Sequence, residues 1–422
     1  MFDGEEDSAW SFSENRSIGV LTHGYHRYPA KFVPQLVSKL IENYTEVDHK
    51  IADVFAGCGT TLVESKVHGR RSVGVDINPV AQFITKVKTQ SILPVSLNNA
   101  FLILVEKISS YKSDNIYFSS TQHPRIDYWF VEENKNKIAF LYALILSGEF
   151  NQKSRDFFLC SLSHILKNCS RWLQDSTKPQ VDKSKKIVEV FSAFIVQTKK
   201  MMKKNEEFHS VLTRNNALRT PCTIKLADAR NTRIRTGSIN TIITSPPYVT
   251  SYEYADIHQL TGYWFEYITD ITEFRKNFIG TFYSQNQNLV VEHSPTAQNI
   301  INQLKEKDLK MSREVSNYFR DMFLVAQEMF RILVDGGRVC LVIGNTELRK
   351  INIQSAEVFT EMLYAIGFEI EEVIKRSIPN KLIPSIRDNE SGRFTKLDSK
   401  TSKLVYPNEY IIIAQKPNVN NQ

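Results

Sequence analysis

The stretch TSPPYVTSYEY, from Thr244 to Tyr254, follows the apolar run Ile239 to Ile243 and leaves it through a serine, two prolines and an aromatic ring. Consecutive prolines fix φ and carry no N–H, so they make a stiff, extended corner whose carbonyls stay outside a regular ladder. Ser245, Pro246, Pro247 and Tyr248 therefore present acceptors and a ring face to something other than a sheet. A bare PPY tripeptide is more often an ordinary strand-ending turn with its tyrosine on the surface, so the chemistry must be sought in what accompanies it.

A second cluster is DVFAGCGTT, which places Asp53 early in a strand and Gly57 and Gly59 in the turn opening the next helix. Glycines there let a ligand approach the backbone at the carboxyl end of a strand, where open α/β sheets bind ligands. The loop has neither the dinucleotide GxGxxG spacing nor a Walker Gly-Lys-Ser/Thr. In GVDIN, Asp76 ends the next strand, where a carboxylate can accept hydrogen bonds from both hydroxyls of a ribose. In LADAR, Asp228 ends a third, where its carboxylate or a neighbouring backbone group could face an adenine amino group. Each aspartate alone is better explained as a helix cap or turn residue. Together with the glycine loop they favour an adenosine-containing cofactor.

These residues need a scaffold that brings strand ends together, and the periodicities supply one. QLVSKLIENY reads as a helix, KIADVFAGCGTT as a strand running into the loop, TLVESKVHG as a helix, and RRSVGVDINPVAQFITKVK repeats strand and helix. From about 91 to 215 helical periodicity takes over, an inserted helical region; CTIKLADAR and SINTIITSPPY restore the alternation. A long helix, REVSNYFRDMFLVAQEMFRIL, then leads through the turn VDGG to the strand RVCLVIGN, and FEIEEVIKRS and NEYIIIAQK can close an antiparallel edge. The reading is one doubly wound α/β domain with a helical insertion: 20–90 the cofactor-binding half, 91–215 the insertion, 216–418 the catalytic half.

Composition bounds the partners. No apolar run approaches the roughly 20 residues of a membrane span, and the acidic start MFDGEEDSAW lacks the features of a signal peptide, so a cytoplasmic protein without membrane contact is expected. Five scattered cysteines with no CxxC pair suggest neither a disulfide framework nor a metal. The net charge of +7 and the cations between Lys199 and Arg235 suit a phosphate backbone or, equally, a solvated helical face.

DVFAGCGTT, VGVDINP, LADAR and TSPPY, in this order, resemble the S-adenosylmethionine-dependent amino-methyltransferases of DNA, and SPPY looks like their cytosine-N4 branch. HRYPAKFVPQLV resembles the segment that in this family closes the methionine end of the cofactor pocket, and EYIIIAQKP resembles the last strand of the fold. The resemblance implies a Rossmann-like class I methyltransferase fold, mostly parallel with an antiparallel C-terminal hairpin strand. It implies that Asp53, Phe55, Gly57, Gly59, Thr60 and Thr61 shape the loop, Asp76 and Ile77 hold the ribose, and Asp228 and Ala229 lie by the adenine. His26, Tyr28, Pro29, Ala30, Lys31 and Phe32 would border the methionine moiety.

The exocyclic amine of a base is a poor nucleophile because its lone pair is delocalised into the ring. If Ser245 and the Pro246 carbonyl accept hydrogen bonds from it, they hold the nitrogen in line with the sulfonium methyl, while Tyr248 stacks on the flipped base. Transfer would be direct; a C5 mechanism needs a cysteine nucleophile, and the only Pro-Cys pair, Pro221-Cys222, precedes an ordinary strand. Expected partners are double-stranded DNA and, by the resemblance, a cognate restriction endonuclease acting separately on the same sites; a monomer is the default. Adenine-N6 methylation on the same scaffold is the nearest alternative, and a non-catalytic nucleic-acid-binding regulator comes from another class. For target recognition the candidates, in order, are the insertion, residues 265–312, and SIPNKLIPSIRDNESGRFTK.

Overall fold

The computed structural model describes residues 5–12, 19–28, 31–117, 123–174, 176, 178–249, 254–281, 289–378, 386–388, 402–404 and 408–418. Seven strands form the main sheet: β1 (Lys50–Asp53), β2 (Arg71–Asp76), β3 (Cys222–Leu226), β4 (Ile239–Thr244), β5 (Leu333–Ile343), β6 (Glu369–Ser377) and β7 (Asn408–Gln415). Their order across the sheet is β3-β2-β1-β4-β5-β7-β6. Strands β1 to β5 pair in parallel, and β7 runs antiparallel to both β5 and β6. This is the Rossmann-like, mostly parallel fold with an antiparallel hairpin strand that the sequence predicts.

Strands buried on both faces need apolar side chains on both, and β7 shows how they divide. Ile411 and Ile413 pack with Leu36, Val37, Leu40 and Ile41 of the helix α1 (Pro34–Tyr44) on one face. Tyr410, Ile412 and Ala414 point the other way, into the core built from the later helices Leu309–Ile332 and Ser355–Ile366. The first of these is capped by Asp308, which accepts from the Met311 N–H at 3.0 Å.

Two local expectations change. β1 ends at Asp53 rather than running on through Val54 and Phe55, because Asp53 Oδ1 accepts from the Phe55 N–H (3.0 Å) and turns the chain. VDGG does not precede its strand: it lies within β5, with Gly336 at φ 75° and a register irregularity opposite Ile239 to Thr241 on β4.

Helix α2 (Thr60–Val67) follows the glycine loop, and α3 (Pro79–Thr89) follows β2 with Asn78 as its cap. The helical layer that comes next contains α4 (Pro94–Ile108), α5 (Glu132–Ser147), α6 (Gln152–Ile165) and α7 (Val190–Arg214). Its core is one apolar cluster with α3, with Tyr25 and with the segment Leu260 to Ile268 that lies downstream of the SPPY corner. At its centre Trp129 stacks on Trp172, with centroids 5.1 Å apart and planes at 22°. Among the described residues no helix is long and apolar enough to cross a membrane.

Candidate active site

The carboxyl ends of β1, β2 and β4 converge on one cleft, an open-sided space of about 900 Å³ that includes the solvent at its mouth. Asp53 joins its two halves. The side chain is buried, and its Oδ1 accepts from the Thr244 hydroxyl at 2.7 Å, so the residue that begins the cofactor loop grips the one just before Ser245. Burial pushes its carboxyl up to about 6, against the hydrogen bonds that favour the charge.

The loop itself depends on left-handed glycines. Gly57 has φ 49° and Gly59, capping α2, has φ 79°. A Cβ on Gly59 would lie 2.6 Å from Thr85 Cγ2, and the Thr85 hydroxyl donates to the Gly57 carbonyl at 2.9 Å. A Cβ on Gly57 would lie 3.2 Å from Tyr28 Oη, which sets the Tyr28 ring directly over the loop. Asp76 ends β2 with Oδ2 accepting from the Gly57 N–H and Oδ1 from the Asn78 N–H, both at 2.8 Å. Each carboxylate oxygen keeps a lone pair for a further donor. Burial raises this carboxyl to about 7 in spite of the two N–H groups, with the Asp53 charge adding to the rise.

Asp228 lines the cleft with its carboxylate held from within the chain. It lies two residues beyond β3, and both its oxygens are gripped by Arg230, through the backbone N–H (2.8 Å), Nε (3.0 Å) and Nη2 (2.6 Å). The same guanidinium reaches Asp321 Oδ1 (2.9 Å) and the Asn277 carbonyl (3.1 Å), while the Gly280 N–H donates to Asp321 Oδ2 (2.9 Å). The network pins residues 277–280 against the cleft, so Phe278 and Ile279 become its wall. With the carboxylate committed, the backbone near Ala229 is the part of this segment left to meet a ligand.

At the corner, Ser245 and Pro247 line the cleft. The Pro247 carbonyl accepts from the Tyr318 hydroxyl at 2.7 Å, fixing the corner to the long helix after it. Tyr248 stands beside the cleft rather than in its wall. Its hydroxyl donates to Glu409 Oε1 on β7 (2.8 Å), and Glu409 Oε2 lies 3.3 Å from the Arg376 guanidinium, which is 1% exposed. A Cβ on Gly344 would meet Tyr248 Oη at 3.2 Å, so a glycine makes room for that hydroxyl.

Of the predicted cofactor residues, Tyr28, Lys31, Phe32, Asp53, Phe55 and Gly57 line the cleft, as do Thr60, Asp76, Ile77, Asp228 and Ala229. Lys31 donates to the His23 carbonyl (3.2 Å), and burial, with Lys88 nearby, pushes its ammonium down to about 8. Gly59 and Thr61 stand behind the surface, Thr61 donating to the Ile243 carbonyl at 3.3 Å, and Pro246 is buried between the lining residues Ser245 and Pro247. His26 is buried with its Nε2 2.8 Å from Ser163 Oγ, part of the packing with the helical layer. Pro29 and Ala30 lie outside the described residues, as does most of SIPNKLIPSIRDNESGRFTK. Asn78, Asn277, Phe278, Ile279, Glu409 and Arg376 were not anticipated. Of these only the cap Asn78, one residue before a proline in VDINP, had a local signal.

Two stretches of the chain, 5–88 and 239–422, match the family described as DNA methylase and together make up more than half of it. The interval between them carries the helical layer and β3. The chain is 28% identical over 401 residues to the type II methyltransferase M.MvaI of Kocuria varians, covering 88% of this chain and 87% of that protein. It is 24% identical over 439 residues to the type II methyltransferase M.AvaI of Nostoc sp. (strain PCC 7120), covering 94% and 87%. Among solved structures, the putative DNA modification methylase TTHA0409 from Thermus thermophilus, complexed with S-adenosyl-L-methionine, is 17% identical with a TM-score of 0.23, covering 46% of this chain and 56% of that one. The cleft, its glycine loop and its proline corner are thus those of a chain that belongs to the DNA methylase family.

Proposed function

We propose that this DNA methyltransferase transfers the methyl group of S-adenosylmethionine to the exocyclic N4 of cytosine in double-stranded DNA. The observation that carries the reading is the Asp53–Thr244 hydrogen bond, which couples the glycine loop to the proline corner so that cofactor and amine share one cleft. The residues suit the cofactor: the left-handed Gly57 before α2 presents backbone to the cleft, Asp76 retains acceptor capacity for ribose hydroxyls, and Phe278 and Ile279 offer an apolar wall for a purine. When bound it supplies an electrophilic methyl on a sulfonium.

The chain's own residues do the rest. Ser245 Oγ and the Pro246 carbonyl accept the amine hydrogens, the Pro247 carbonyl being taken by Tyr318, and orient the nitrogen's lone pair toward the methyl. The glycine loop and Asp76 would hold the cofactor, whose sulfonium would supply the methyl, and the proton that the amine gives up on methylation would pass to solvent by way of the Ser245 hydroxyl. Tyr248, its ring held through Glu409, stacks on the flipped base, a contact worth roughly 1–3 kcal/mol that offsets the unstacking. Serine at the head of the motif favours cytosine. In keeping with the type II relatives, we place the enzyme beside a separate restriction endonuclease, acting as a monomer on one strand at a time.

The test is to incubate the protein with labelled S-adenosylmethionine and unmodified bacterial DNA, digest to nucleosides and identify the product by mass spectrometry, with Tyr248→Ala as the control. N4-methylcytosine, strongly reduced in the control, is the expected result. N6-methyladenine would overturn the base assignment, and no methylated nucleoside would overturn the catalytic reading.

A further inference from the structure

The connection between α6 and α7, residues 166–189, holds six lysines or arginines and three acids, of which Glu189 caps α7 and pairs with Lys137. It is a built element. Trp172 is buried, donates from Nε1 to the Lys178 carbonyl (3.0 Å) and bridges to Val181, while Asp182 N donates to the Arg171 carbonyl (2.8 Å). Lys185 Nζ donates to the Lys167 and Trp172 carbonyls, both at 2.7 Å. The Asp182 carboxylate accepts from the N–H (2.9 Å) and hydroxyl (2.7 Å) of Ser184, keeps its charge and offsets part of the positive field at Lys185.

This loop is tied to the segment that enters the cleft. Arg27 Nη1 donates to Asn168 Oδ1 at 3.0 Å, and the next residue, Tyr28, lines the cleft. The Tyr28 ring lies 5.0 Å from that of His258, on the chain downstream of the SPPY corner. Arg27, Lys167 and Lys185 are close enough to repel: burial, reinforced by Lys167 and Arg27, pushes the Lys185 ammonium down to about 8. An anion between them would relieve that field.

Three of the cations from Lys199 to Arg235 are tied within the fold. Arg230 is spent on Asp228 and Asp321, Lys225 donates to the Arg233 carbonyl and Lys204 to that of Gly19. Asn215, next to Arg214, donates to the Val67 carbonyl (2.9 Å) at the end of α2, about 12 Å of helix away from the cleft loop.

We propose that Arg27, Arg171, Lys178 and Lys185 form a rim that holds phosphates of double-stranded DNA beside the mouth of the catalytic cleft. The proposal rests on the reading of the chain as a DNA methyltransferase and assigns the contact surface to the helical layer and the segment before Tyr28. A duplex seated there would present its strand to the Ser245 corner, with its charge met by residues from two distant parts of the chain.

The test uses the full chain and a 30-base-pair unmethylated duplex, with affinity followed by fluorescence anisotropy as salt rises. Arg27→Gln and Lys178→Gln each should weaken binding several-fold and reduce the slope of log K against log salt by about 0.9. Arg214→Gln, at the far end of α7, should leave the slope unchanged, and all three should keep the wild-type affinity for S-adenosylmethionine by calorimetry. Lys185 is left intact because its ammonium also ties the loop. If the wild type methylates DNA but the rim variants keep the full slope, or Arg214→Gln lowers it, the rim is wrong while the enzyme reading stands. A duplex RNA bound more tightly than DNA, with the same loss on rim substitution, would overturn double-stranded DNA as the occupant. Absence of both methylation and duplex binding in the wild type would overturn both readings.

Discussion

Tyr248 gains its orientation from a carboxylate that the chain supplies 161 residues later. Removing Glu409 and removing the tyrosine hydroxyl break the same hydrogen bond, yet with different consequences. Glu409→Ala leaves the Arg376 guanidinium, 1% exposed, without its counter-charge, a change of the kind that costs about 3–5 kcal/mol. Tyr248→Phe keeps that pair and forfeits one hydrogen bond, about 1 kcal/mol. Denaturant titration should therefore show a much larger loss for Glu409→Ala, and equal losses would refute the role given to Arg376. Asp76 offers a prediction in pH. Its folded pKa, raised to about 7, lies above that of an unfolded carboxyl near 4, so the native state holds the extra proton between these values. The stability of the cofactor-free protein then falls as pH rises through this window. Cofactor affinity moves oppositely, since ribose hydroxyls favour the charged form, and should strengthen through pH 7 and level off above it. Calorimetry from pH 5.5 to 8.5 checks this, and Asp76→Asn should flatten the curve.

Elements decide how much a single backbone conformation matters. Gly59 and Gly69, at opposite ends of α2, both have positive φ, 79° and 70°. A Cβ at Gly69 meets nothing within 4 Å, whereas at Gly59 it meets Thr85. Gly69→Ala should cost only the left-handed penalty, about 1–2 kcal/mol, and keep cofactor affinity; Gly59→Ala should cost more and lose affinity by displacing Thr85 from the Gly57 carbonyl. Thermal shifts with and without cofactor distinguish the two. At this scale the sequence is most informative, because an apolar run ending in an acid or a glycine pair is a local pattern. Asp53, Asp76 and the SPPY corner could be placed from such runs. Asp228 could be placed too, whereas its pairing with Arg230, two residues on in the same LADAR motif, has no periodic signature. Asn277, Phe278 and Ile279 come from a stretch without periodicity, and only the clamp by Arg230 and Asp321 makes them a wall.

At the scale of the whole molecule, the helical layer and the sheet share structure around α3, yet only one of them forms the cofactor loop. Trp172→Ala should destabilise the helical layer by about 3–5 kcal/mol and loosen the connection 166–189. The expected pattern is weaker duplex binding with little change in cofactor affinity, measured by anisotropy and calorimetry on the same preparation. Equal losses in both would mean that the layers fold as one cooperative unit. The positions of the layers could not be read from sequence because helical periodicity shows that a face is apolar, not what covers it.

The place of β7 in the sheet bears on how the chain is made. It follows the other six strands in sequence but fills the slot between β5 and β6, so the ribosome finishes the glycine loop, the proline corner and the clamp before releasing the strand that carries Glu409. Until then the hydrogen bond from Tyr248 to Glu409 cannot form, and β6 waits for the strand it pairs with. A nascent chain would then assemble the site for its methyl donor before the support of the stacking ring, and activity would switch on only once β7 has been made.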